Sequence, residues 1–285
     1  MNIRAAILHS IGHPAPYAQS RPLRIERVEL DPPGPGEVLV KLIAAGLCHS
    51  DLSVINGDRP RPVPMVLGHE ASAEVVEVGA GVSEFEAGDL VVLVFVPSCG
   101  HCIPCAEGRP ALCEPALASN VRGTLISGER RLRFAQADSG RQECRPSNGA
   151  LHHLLGVAAF ADHAVVSQNS CVKIGASGGQ KDSRSLAVAA RSFSTDPVEA
   201  ALFGCAVLTG VGAVINTARV QAGSTVAVVG LGGVGLCALL GALAAGAREV
   251  IAVDVHESKL NAAKSLGATA TVNASASDAV EQVKA

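Results

Sequence analysis

Polar and apolar positions change rhythm once along this chain, near residue 196. Upstream, short β-branched runs at residues 38–42, 73–78 and 90–94 are separated by turns bearing Gly and Pro. Apolar runs of this length between turn residues predict strands, and turns recurring about every eight to twelve residues predict a β-barrel or sandwich. From about 116 to 150 the rhythm is lost. Arg122, Arg130, Arg131, Arg133, Arg141 and Arg145 occur there with little periodicity, which predicts a long exposed loop.

Downstream, helix and strand patterns alternate. Asp196 suits an N-cap ahead of Pro197 at the first helical position, predicting a helix over 198–218. Thr225–Val229 is a continuous apolar run, the pattern of a parallel strand buried on both faces. Residues 236–245 predict a buried helix, 249–253 a second strand, 257–266 a second helix and 270–272 a third strand. A further helix begins at 277–285. This alternation is α/β, so the domains are expected at 1–195 and 196–285.

Composition excludes several classes. Of 285 residues, 48% are hydrophobic and 17% charged, which suits a buried globular core. A net charge of −3 without a basic run gives no footing for nucleic acid. The opening residues, MNIRAAILHSIGHPAPY, read as neither a signal peptide nor a membrane span. Nine cysteines without an export signal point to a reducing cytoplasm.

Four of those cysteines, Cys99, Cys102, Cys105 and Cys113, follow the spacing C-x2-C-x2-C-x7-C. Close pairs joined by short turns can aim four thiolates at one centre, the tetrahedral arrangement of structural zinc. A disulfide framework is the competing reading. Gly230, Gly232 and Gly235 form a G-x-G-x-x-G directly after a predicted strand and before a predicted helix. In that setting the glycines permit a tight turn, close approach of a pyrophosphate, and close packing of helix on strand. The helix N-terminus offers unpaired N–H groups to the phosphate charge. Asp254, 19 residues past Gly235, ends the next predicted strand, where a carboxylate accepts hydrogen bonds from ribose hydroxyls and repels a 2′-phosphate. That favours NAD over NADP; a glycine-rich turn beside a solvated aspartate is the alternative.

Cys48 in GLCHSD, His69 in GHE and Cys205 in GC-x3-TG carry metal-ligand chemistry but lie too far apart in the chain for spacing to join them. A lone cysteine is usually a small hydrophobe. Together, in order, with the four-cysteine lobe and GLGGVG, these motifs make the chain resemble the zinc-dependent alcohol dehydrogenases of the medium-chain dehydrogenase/reductase family. The resemblance spans residues 46 to 254 and implies a GroES-like β-barrel catalytic domain followed by a Rossmann NAD-binding domain, a doubly wound parallel sheet. It further implies two zinc ions: a catalytic one on Cys48, His69 and Cys205, and a structural one on the four-cysteine lobe. By the same match Ser50 takes the alcohol proton, Asp51 holds the second nitrogen of His69, and Glu70 sits behind the catalytic ion. His49 lies near the pyrophosphate, Thr209 borders the nicotinamide, and Lys259 reaches the adenosine ribose; for Lys259 a solvated helix lysine is the alternative. Where several family members carry a histidine three residues after the relay serine, this chain has Ser53.

The implied reaction is reversible oxidation of a primary or secondary alcohol to an aldehyde or ketone, with hydride transfer to NAD. S-(hydroxymethyl)glutathione or aryl-alcohol oxidation in the same family is an alternative, as is a non-catalytic zinc-binding protein. The small-molecule partner is an alcohol or aldehyde, with no nucleic acid or membrane role, and the full-length enzymes are homo-oligomers. A complete dinucleotide fold has about six strands and only three can be placed here, so the Rossmann domain is expected to be incomplete and its first strand to present an open edge.

Overall fold

In a computed structural model of the chain, residues 1–135, 149–176 and 196–284 are described. They form two compact units, Met1–Gly204 and Cys205–Ala285.

The first unit is built on strands β1 (Asn2–Leu8), β2 (Leu23–Leu30), β3 (Glu37–Ala45), β4 (Met65–Val66), β5 (Ala71–Val78), β6 (Asp89–Leu93), β7 (Leu132–Phe134), β8 (His152–His153), β9 (His163–Ser167) and β10 (Cys171–Ala176). Helices α1 (Tyr17–Ser20), α2 (His49–Ile55), α3 (Ile103–Ala106), α4 (Glu114–Arg122) and α5 (Pro197–Ala200) connect or flank them. One sheet runs β7-β2-β1-β4-β8 and the other β10-β6-β5-β3-β9. Pairing is antiparallel except between β4 and β8. Ile3, Ile7, Val28 and Leu30 of the first sheet pack with Leu39 and Val165 of the second, so the two sheets share a core. Such burial of alternate side chains is what the β-branched runs anticipated.

Glu37 starts β3 almost fully buried, and its charge is met on three sides. Ser127 Oγ donates to Oε1 at 2.8 Å, while Gly34 N and Arg131 Nε donate to Oε2 at 2.9 and 2.8 Å. That network organises sequence expected to be an exposed loop. Residues 114–135 instead contain α4, a turn and β7, with Leu125, Leu132 and Phe134 buried. The apolar side chains lock onto the first sheet through three β7–β2 residue pairs, too few to leave a periodic signature. Arg141, Arg145 and Cys144 lie outside the described residues.

The second unit has three parallel strands, β11 (Thr225–Val229), β12 (Glu249–Asp254) and β13 (Ala270–Asn273), in that spatial order. Helices α6 (Ala206–Gly212), α7 (Gly233–Ala244), α8 (Glu257–Ser265) and α9 (Ala279–Lys284) alternate with or flank them. Val214, Val228, Leu239, Ala242, Val250, Ala252 and Leu260 make its core.

The compact units divide after Gly204, and residues 197–204 pack with the first. Two expectations need correction. The single helix over 198–218 is broken into α5, a 3-10 turn at Ala201–Gly204, α6 and a π-helical turn at Ala213–Ala218. Gly204 packs so closely on β6 that a Cβ there would lie 2.0 Å from the Leu93 carbonyl oxygen, and Cys205 departs from helical geometry at φ −137°, ψ −75°. Finally, β11 is not buried on both faces. Only Val228 is buried, and Val229 is 78% exposed, because among the described residues β11 pairs on one side only.

An apolar edge strand with free backbone donors and acceptors is a template for pairing with another chain. We expect the 285-residue chain to self-associate as its concentration rises, and Ala227→Lys, at an exposed mid-edge position, to suppress this. Multi-angle light scattering across a dilution series checks both; a chain monomeric at every concentration would refute the edge as the cause.

Candidate active site

The trio begins at the end of β3. Gly46 is a close-packing point, where a Cβ would lie 2.6 Å from Glu70 Oε1, so glycine leaves the buried Glu70 carboxylate its space. Cys48 then caps α2. Its sulfur accepts from the Asp51 backbone N–H, and the Asp51 carboxylate accepts from Cys48 N at 3.3 Å, a reciprocal box that anchors the first helical turn. Ser50 is half-buried in that turn and His49 is exposed.

Asp51 is buried and does more than cap. Its Oδ1 also accepts from Gly68 N at 3.0 Å and faces His69 Nδ1 at 3.3 Å. Gly68 has φ +87°, and a Cβ there would lie 2.7 Å from Phe160 N, so only glycine lets the chain turn and donate at this place. With Nδ1 held by Asp51, His69 directs Nε2 away from the carboxylate. The ring is almost wholly buried, with Phe95 edge-on at 5.9 Å. Burial opposes a charged imidazole here, but hydrogen bonds and charge from Asp51 and Cys48 outweigh it and raise His69 to about 9. A site that attracts one proton so strongly is electron-rich, and a divalent cation competes for the same lone pair.

Cys205 follows the last residue of the first unit, and one ligand atom each from Cys48, His69 and Cys205 lie within 4.8 Å of one another. Two thiolates and an imidazole are the donor set of a catalytic zinc site, balancing the charge of Zn²⁺ and leaving a fourth position. The residues therefore fit the ion that the motifs imply. Thr209, whose N–H donates to the Cys205 carbonyl at 2.9 Å, is exposed in α6.

Because Asp51 orients the imidazole, Asp51→Asn is expected to weaken zinc at this trio about ten- to a hundredfold. Competition against a chelator of known affinity measures it; an unchanged affinity would show that Asp51 serves only the helix cap.

The four lobe cysteines also converge, with their sulfurs within 4.8 Å of one another and no disulfide among the described cysteines. Cys99 N donates to the Cys113 sulfur at 3.2 Å and Cys102 N to the Cys99 sulfur at 3.3 Å. Backbone N–H groups of His101 and Cys102 pull the Cys99 thiol down to about 6. Desolvation and hydrogen bonding to the neighbouring sulfurs push Cys105 up to about 11. A coordinated cation removes that opposition, since a metal-bound thiol is deprotonated outright. The lobe's regular structure is one four-residue helix and a three-residue 3-10 turn, too short to be stable alone, which fits a metal-organised lobe. Cys171 has no such neighbours; burial alone pushes its thiol up to about 12.

In the second unit, Gly230 turns the chain out of β11 at φ +89°. Gly232 is the N-cap of α7, and among the described residues beyond its chain neighbours nothing lies within 4 Å of where its Cβ would be. A Cβ at Gly235 would lie 1.8 Å from the Gly230 carbonyl oxygen. The three glycines thus divide their tasks as the motif requires, and the open space at Gly232 is a cradle a pyrophosphate can approach. Asp254 is held under the turn, accepting from Leu231 N at 2.8 Å and His256 N at 3.0 Å, with Lys259 Nζ at 3.5 Å. Leu231 N–H first, then His256 N–H and Lys259, depress Asp254 to about 2. Each carboxylate oxygen has two acceptor sites, so capacity for a ribose hydroxyl remains.

A carboxylate whose pKa falls on folding stabilises the fold above its unfolded value, near 4, and loses that effect as pH drops toward the folded value. The stability gap between the parent chain and Asp254→Asn is therefore expected to be full at neutral pH and to close between about pH 4 and 2. Acid titration followed by circular dichroism checks this; a gap that persists at pH 2 would assign the effect to packing.

Sequence reasoning named the candidate ligands and missed the residues that support them. Phe95 left no signal, being an isolated aromatic in a loop; Gly46 and Gly68 stood inside GLCHSD and GHE unremarked.

Residues 34–176 match the alcohol dehydrogenase GroES-like domain, and residues 233–285 match the zinc-binding dehydrogenase family. The chain belongs to the zinc-dependent alcohol dehydrogenases of the medium-chain dehydrogenase/reductase family. Among relatives of this family, an S-(hydroxymethyl)glutathione dehydrogenase of Synechocystis sp. is 36% identical over 275 residues, 96% of this chain and 64% of the relative. An alcohol dehydrogenase zinc-binding domain protein from Burkholderia ambifaria superposes with a TM-score of 0.81 at 34% identity, covering 99% of this chain and 66% of that one. The benzyl alcohol dehydrogenase of Acinetobacter calcoaceticus gives 0.78 at 32%, covering 100% and 67%. The chain thus spans less than two thirds of the length of the Synechocystis relative. Among the described residues no single helix is long and apolar enough to cross a membrane.

Proposed function

We propose that this chain carries the zinc sites and the first dinucleotide-binding half of an NAD-dependent alcohol dehydrogenase, acting on a primary or secondary alcohol and the corresponding aldehyde or ketone. The observation that carries the reading is the convergence of Cys48, His69 and Cys205, remote in sequence, to within 4.8 Å. Bound there, zinc supplies Lewis acidity that makes an alcohol hydroxyl acidic near neutral pH, and NAD supplies the hydride acceptor.

The chain's own residues supply placement and charge. Cys48 and Cys205 neutralise the cation, and Asp51 keeps His69 in the tautomer that ligates through Nε2. Ser50, half-buried one residue from Asp51, accepts the alcohol proton and passes it outward, with Ser53 in the next turn. Glu70 tunes the field from behind Gly46. The turn at Gly230, Gly232 and Gly235 holds the pyrophosphate, with His49 near it, and Thr209 borders the nicotinamide. Asp254 accepts from the adenosine ribose and disfavours a 2′-phosphate, with Lys259 at the same ribose, which selects NAD over NADP. Cys99, Cys102, Cys105 and Cys113 hold a second, structural zinc. The reducing cytoplasm suits eight described cysteines without a disulfide.

A narrower substrate reading, S-(hydroxymethyl)glutathione, is favoured by the 36%-identical relative of that activity. The test is metal analysis of the purified 285-residue chain together with NADH production from ethanol, benzyl alcohol and S-(hydroxymethyl)glutathione. Two zinc ions with turnover support the enzyme, and the preferred alcohol selects the branch. Two zinc ions without turnover on any substrate would identify a metal-loaded but non-catalytic chain. Failure to bind a zinc ion at Cys48, His69 and Cys205 would overturn the reading.

A further inference from the structure

The arginine-rich sequence after the four-cysteine lobe takes no part in the proposed chemistry, yet it is built into a cleft. Arg122 at the end of α4, the turn through Gly128–Arg130, and Arg131 and Arg133 leading along β7 surround a cavity of about 620 Å³ in the first unit. Two of the four guanidinium groups are already matched. Arg131 bonds the buried Glu37 at 2.8 Å, and Arg133 is paired with Asp31. Arg130 is different: its Nε is shut off from water and has no hydrogen-bond acceptor among the described residues. A buried donor without a partner is costly, most of all on a charged group, and marks a place where an acceptor is missing. The remaining acid on the lining, Glu129, is exposed, where solvent and salt screen its charge.

We propose that this cleft is an oxyanion site that takes the phosphate group of a small phosphorylated molecule, with Arg130 as its anchor and Arg122 as the second cation. The guanidinium fork presents paired N–H donors at the spacing of two phosphate oxygens, and charge-assisted bonds of this kind are the strong ones. The cavity exceeds what one inorganic ion fills and lies within the range of small-molecule sites, so the organic part of the ligand has room beside the anchored phosphate. All the lining residues belong to the first unit, separate from the glycine turn of the second.

Isothermal titration of the full chain with inorganic phosphate and with glycerol 3-phosphate, against sodium chloride at equal ionic strength, tests the site. Both phosphates are expected to bind with saturable heat, glycerol 3-phosphate the more tightly. Arg130→Gln is expected to weaken both about ten- to a hundredfold, as for the loss of a charge-assisted hydrogen bond. Arg130→Lys should recover part of the affinity, since the charge returns without the fork. If Arg130→Gln loses the parental circular dichroism spectrum, Arg122→Gln carries the test, with an expected loss of about three- to tenfold. Heat indistinguishable from chloride, or unchanged affinity in the arginine variants because phosphate binds at the glycine turn instead, would overturn the proposal.

Discussion

Cys205→Ser is expected to lower the zinc content from about two ions per chain to about one, and to reduce any alcohol turnover to background. Three protein ligands are the minimum for a catalytic zinc site with an open position, and removing one thiolate leaves a neutral hydroxyl in place of a charge that balanced the cation. The remaining Cys48 and His69 bring one negative charge, with Asp51 spent on His69, Gly68 and the α2 cap. The lobe ion is untouched, because its four sulfurs form a separate cluster. Element-specific metal analysis before and after brief dialysis against a weak chelator gives the count. A Cys205→Ser chain that keeps both ions would mean that Cys205 does not ligate.

Gly235→Val is expected to abolish dinucleotide binding while leaving both zinc sites loaded. A Cβ at 235 would lie 1.8 Å from the Gly230 carbonyl oxygen and 2.9 Å from its carbon, and backbone atoms cannot swing aside as a flexible side chain can. Relief requires α7 to back away from the turn that its N-terminus serves. Overpacking costs about 1–3 kcal/mol even where side chains can adjust, and a backbone clash lies at the upper end or beyond, a hundredfold or more in affinity. Gly232→Ala is the companion measurement. Its backbone, at φ −80° and ψ −171°, suits any residue, and among the described residues beyond its chain neighbours nothing lies within 4 Å of the new methyl. It should keep the parental melting temperature yet bind NADH more weakly, because the methyl occupies the space a pyrophosphate approaches. NADH fluorescence titration together with thermal melts separates the two. Full NADH affinity in Gly235→Val would show that the glycine turn is not the cofactor site.

Both expectations depend on features that differ in how far the chain announces them. The glycine turn was legible because its chemistry is local: β11, the turn and the start of α7 are consecutive, and each glycine meets its constraint within a few residues. The four-cysteine lobe was legible for the same reason, all four ligands falling within 15 positions. The segment 114–135 was misread because Leu125, Leu132 and Phe134 bury against strands far away in the chain, leaving no period to detect. The helix over 198–218 was misread because Gly204 answers to the Leu93 carbonyl oxygen, more than a hundred residues earlier.

The sequence by itself determined which residues could ligate, which turn could hold a phosphate, and the α/β alternation of the second unit, since these follow from side-chain chemistry and short-range geometry. Only the tertiary structure decided that Cys48, His69 and Cys205 converge, that β11 pairs on one side only among the described residues, and that Arg130 Nε meets no acceptor among them. Distance between remote positions is set by how sheets and helices pack, and an unmet hydrogen bond exists only once every neighbour has taken its place.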